Sequence, residues 1–140
     1  MRVCGLRRNR VRFRSRPLAE AAPVTGSRVE LIDMPHYRTG EVLVRAASAR
    51  GLVWYVTDIV MNLRALPPNP LVRLLFALSG SGPGLRLNRL ALLFMVRDRA
   101  ALKRWFAAEL DKSPPRWLIP AHGDIVDCET EARALGRLFR

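Results

Sequence analysis

Histidine is scarce in this chain: its 140 residues contain two, His36 and His122. Any site that needs several imidazoles from one polypeptide is therefore excluded. Cysteine is equally scarce. Two cysteines as widely spaced as Cys4 and Cys128 make neither a disulfide framework nor a thiolate zinc site, and they read as incidental thiols of a reducing, cytoplasmic setting. No stretch of about 18 uncharged apolar residues occurs, so no membrane-spanning helix is expected. Lysine is nearly absent, with only Lys103 and Lys112, and basic charge is carried by arginine. Acidic residues are missing from the first 16 positions altogether.

What is present is a net charge of +12, unevenly spread. Arg2, Arg7, Arg8, Arg10, Arg12, Arg14 and Arg16 place +7 in the first 16 residues, whereas residues 17–140 hold 17 basic against 12 acidic residues. Such a tail has three readings: a patch for nucleic acid or an anionic surface, a transit peptide, or a poorly folded start at a gene boundary. Within the tail, aromatic residues that would stack on bases are limited to Phe13, which disfavours nucleic acid as the main partner. Residues 17–27 (PLAEAAPVTGS) have linker composition, so residues 1–27 form a tail and residues 28–140 the domain. With 49% apolar residues this domain has material for a core.

Strand signals open the domain. Residues 28–34 alternate and stop at Pro35, residues 41–47 form a second strand, and residues 51–57 (GLVWYVT) form a nearly continuous apolar third strand after a hairpin. Residues 71–78 predict a short helix between a proline cluster and a Gly/Ser/Pro cluster, and residues 87–96 are ambiguous. Asp98 is a fitting N-cap for a helix over 99–112, whose Leu102, Trp105, Phe106 and Leu110 share one face. Residues 117–121 predict a strand. A last helix comes after it, with Asp127, Glu129 and Glu131 at its start and Ala132, Leu135 and Phe139 on its buried side. The order is mixed α/β.

Three chemically capable residues fall at strand ends: His36 after the first strand, Asp58 after the third, and His122 after the last. A carboxylate closing an apolar strand is costly unless paired or metal-bound, and imidazole with carboxylate suits Zn²⁺ or another divalent ion. Each residue also has an ordinary reading. Either histidine can be a plain loop residue, and Asp58 and Asp124 can each cap the turn or helix after it. Trp54, Tyr55 and Trp117 read as core, or as the wall of a small-molecule pocket.

The order and context of Pro35-His36…Gly40, Val53–Asp58 and Pro120-Ala121-His122-Gly123 resemble the C-terminal half of a metallo-β-lactamase-fold metallo-hydrolase, over about residues 28–140. That resemblance implies part of an αββα sandwich, essentially one sheet with covering helices. It implies one or two Zn²⁺ ions, or another divalent metal, with His36 and His122 as ligands and Asp58 as the bridging ligand. It also implies a metal-activated water that hydrolyses an ester, thioester, amide or phosphoester small-molecule substrate, with Asp58 and His122 as the catalytic positions. Tyr37, Arg38 and Asp124 are candidates for substrate contact or support, and read more simply as solvated loop residues. The family's His-x-His-x-Asp-His motif is absent, so neither metal reaches the usual three protein ligands within this chain. The expectation is therefore a truncated or diverged hydrolase that associates with itself or with a complementing N-terminal half through an uncovered sheet face, to which Trp54, Tyr55 and Phe94 contribute. The alternatives are a non-catalytic remnant or interaction module and, less favoured, a nucleic-acid binder acting through its tail.

Overall fold

The computed structural model describes residues 28–139, and the expectations for the Arg-rich tail and its linker lie outside them. The chain runs β1 (Val29–Met34), β2 (Glu41–Ser48), β3 (Gly51–Leu63), α1 (Pro70–Ser79), β4 (Gly84–Leu87), α2 (Arg89–Phe94), α3 (Arg99–Lys112), β5 (Trp117–Gly123), β6 (Val126–Asp127) and α4 (Ala132–Leu138). The result is mixed α/β: one six-stranded open sheet with four described helices. The strand order is β1-β2-β3-β5-β6, with β4 pairing the distal part of β3. Every described ladder is antiparallel except β3–β5, which is parallel.

β3 is longer than its apolar run implies. It continues past Asp58 to Leu63, so Asp58 lies inside the strand and does not end it. Between Val56 and Met61 the β3–β5 register slips: Val56 faces Pro120, but Met61 already faces His122. Pro120 has no N–H to donate, so the ladder cannot run on unbroken there, and β3 bulges by three residues. The ambiguous segment 87–96 resolves into the end of β4 and the short helix α2, capped by the Asn88 side chain on Ala91 N. Asp98 caps α3 through Ala101 N at 2.9 Å, as its sequence position suggests. Asp127 does not open a helix. It lies in β6, pairs with Arg116, and accepts the amide N–H of Glu129 at 3.0 Å, and α4 begins only at Ala132.

The sheet's two faces differ. On one, Leu43, Trp54, Val56 and Leu118 pack with Leu102 and Phe106 of α3 and with Leu135 and Phe139 near the C-terminus. Trp54 is fully buried there, which corrects its assignment to an uncovered face and to a pocket wall. Cys128 is buried in the same core, and burial pushes its thiol up to about 11. On the other face, register and alternation align Leu31, Val44, Tyr55 and Ile119 in one row and Val29, Ala46, Val53 and Trp117 in the next. None of these eight residues belongs to the core cluster, and none is fully buried. The second face is thus an apolar surface not packed into that core. Among the described residues no helix is long and apolar enough to cross a membrane.

Candidate functional site

Asp58 and His122 meet. Asp58 stands in the β3 bulge, and His122 stands where parallel β5 rejoins β3 after Pro120. His122 Nε2 lies 3.0 Å from Asp58 Oδ1. That separation is within ion-pair range, and Nδ1 is the second nitrogen of the ring. The two side chains are 60% and 39% exposed, so the pair is open to solvent and to ligands. Two small cavities flank it, one lined by His122, Met61, Pro67 and Phe76 and the other by Asp58, Ala91, Phe94 and Met95. Asn88 borders both, so they form adjoining recesses on either side of the pair.

Gly123 makes this approach possible. Its φ is +104°, and a Cβ there would lie 2.0 Å from the Asn62 carbonyl oxygen. Asn62 in turn anchors the next residue: its carbonyl accepts Asp124 N at 2.8 Å, and its amide donates to Asp124 O at 3.2 Å. Gly123→Ala is expected to cost on the order of 2 kcal/mol in urea unfolding, because both strain and backbone contact oppose it. It also displaces His122 from Asp58.

His36 forms no group of three with Asp58 and His122. It comes after β1 in the left-handed region at φ 66° and is exposed, and its carbonyl accepts Arg97 N at 2.7 Å. This clamps the loop to the α2–α3 connection, where His36 approaches Asp98. The Asp98 carboxyl is held below its ordinary value first by the Ala101 amide and, more weakly, by His36. Among the described residues no group of three or more His, Cys, Asp or Glu is placed to hold a metal ion. The zinc implied by the family resemblance therefore lacks a three-ligand set here, and Asp58 with His122 is the pair the fold brings together.

Tyr37 is the site neighbour that sequence reasoning undervalued. It is not a solvated loop residue: it bridges Val96 and is buried, and its hydroxyl has no hydrogen-bond partner. Burial, then the charges of Glu41 and Asp58, raises its pKa. The Thr57 hydroxyl, adjacent to Asp58 in the chain, is likewise buried without a partner. The only sequence signal for Tyr37 is an aromatic residue just beyond a strand-ending proline. Arg38 is exposed, and Asp124 is engaged by Arg64.

The chain matches no family model, no curated protein and no solved structure.

Proposed function

We propose that this chain is one half of a two-sheet hydrolase of the metallo-β-lactamase type. In this reading it contributes Asp58 and His122 to a metal site that a second polypeptide completes. The observation that carries the reading is the 3.0 Å contact between His122 and Asp58 across two parallel strands. A carboxylate in a bulge and an imidazole at the neighbouring strand's end converge there from positions 64 residues apart. The apolar second face supports the need for a partner, because a sandwich would cover the rows through Val44 and Tyr55.

Within this chain Asp58 lies against the His122 ring. The unpartnered hydroxyls of Tyr37 and Thr57 leave hydrogen-bonding capacity that a completed site would use. The missing third ligand favours one second reading, an interaction module that keeps the fold without catalysis. Hydrolysis of a generic phosphodiester and a generic thioester, with zinc added, tests the proposal. The lone monomer is expected to show no robust zinc-dependent turnover. Turnover that survives both Asp58→Asn and His122→Ala would contradict the site.

A further inference from the structure

We propose a second site, distant in chemistry from the Asp58–His122 pair: a binding site for a phosphate-bearing anion, formed where α1 ends against β4, α2, α3 and α4. A cavity of about 260 Å³ opens there. Arg86 of β4, Arg89 of α2, Lys103 of α3 and Arg137 of α4 line it, and no carboxylate of the described residues does. Four cations drawn from four separate elements converge on one space. Arg86, Arg89 and Arg137 repel one another across that space, and an anion would offset the repulsion.

The arginines with structural tasks in this fold are paired: Arg45 with Glu109, Arg64 with Asp124, and Arg116 with Asp127. Among the described residues Arg86, Arg89 and Arg137 pair with no carboxylate. Arg86 Nε donates to the Pro83 carbonyl at 3.1 Å, a bond that holds its guanidinium in place. The Arg89 guanidinium lies over the α1 cap: a Cβ at Gly80, itself at φ 66°, would come 3.3 Å from Arg89 Nη1. The cavity thus presents guanidinium forks, which match phosphate oxygens in pairs.

Leucines 87, 92 and 138 complete the lining. Their apolar surface suits a phosphate joined to an organic body, so the class is a phosphate ester or diphosphate. That phosphate can be free or belong to a lipid headgroup. The lipid source is relevant because α1, which ends at this cavity, exposes Leu71, Leu74, Leu75 and Leu78 by 75, 55, 49 and 77%.

The experiment uses the full chain and two probes. Inorganic pyrophosphate is titrated calorimetrically, and phosphatidylcholine vesicles with and without phosphatidic acid are tested by co-sedimentation. Pyrophosphate binding that weakens with salt and falls at least tenfold in Arg89→Gln/Arg137→Gln supports the site with a free phosphate. Binding only to phosphatidic acid vesicles, lost in the same variant, supports it with a lipid source. Circular dichroism checks the fold of that variant, and the single exposed Arg86→Gln, expected to weaken binding severalfold, decides the matter if the double variant misfolds. Binding by neither probe, or binding that these substitutions leave unchanged, overturns the proposal; the second outcome assigns it to other basic surfaces such as residues 1–16.

Discussion

Phe106→Ala is expected to lower stability by about 3–5 kcal/mol, the range for deleting a buried aromatic ring from a packed core. Phe106 has no exposed surface. Its ring stacks on Phe139 at 4.2 Å with an interplanar angle of 7°. It also meets Trp54 edge-on at 5.8 Å and 69°, and Trp105 at 5.8 Å and 81°. One side chain thereby ties β3, α3 and the C-terminal segment together. For a domain this size the loss corresponds to a fall in Tm on the order of 15 °C. Urea unfolding tracked by tryptophan fluorescence reads it directly, since Trp54 lines the resulting cavity. A loss under about 1 kcal/mol would mean that the helical layer does not pack on the sheet as described.

Glu109→Leu is expected to cost about 2–4 kcal/mol, and the double variant Arg45→Met/Glu109→Leu to recover most of that loss. Arg45 projects from β2 into the core face and is 5% exposed. Its guanidinium pairs with Glu109 of α3, whose side chain is 18% exposed, and lies over the Trp54 ring at 4.7 Å. Glu30, 3.6 Å away on β1, is 64% exposed and offers little compensation. Removing Glu109 therefore strands a desolvated cation, whereas removing both charges replaces the pair by apolar packing. Chemical unfolding of the two single variants and the double variant gives the coupling. If the double variant is as unstable as Glu109→Leu alone, the ion pair does not carry the effect.

Elements with a clear local pattern were legible in the sequence. For α3, Asp98 supplies the cap and Leu102, Trp105, Phe106 and Leu110 the period, and packing uses the same face. β1 and β2 were legible because Pro35 and the Ala49-Arg50 turn bound them. β4 and α2 were hidden because residues 85–94 are mostly apolar and show neither a period of two nor of 3.6 clearly. The length of β3 was hidden because Ile59 to Leu63 resembles a helix start after a capping Asp58; β4 on one edge and β5 on the other hold it extended. Arg45 was not legible as a core residue, since its burial depends on Glu109 arriving from 64 positions away.

Of the candidate site, Asp58 and His122 were legible as strand-end residues, but their contact depends on the slip at Pro120, a property of two strands together. His36 carried the same local signal. Its left-handed backbone and its bond to Arg97 bind its loop to the α2–α3 connection beside Asp98. The burial of Tyr37 comes from its bridge to Val96, a contact that no local pattern encodes.

Zinc titration of the full chain at neutral pH, with metal content measured after dialysis, tests most directly whether Asp58 and His122 are its metal ligands. The expected result is weak, substoichiometric retention, reduced about tenfold or more by Asp58→Asn or His122→Ala and unchanged by His36→Ala. One zinc per chain, retained through dialysis and surviving both Asp58→Asn and His122→Ala, would contradict it.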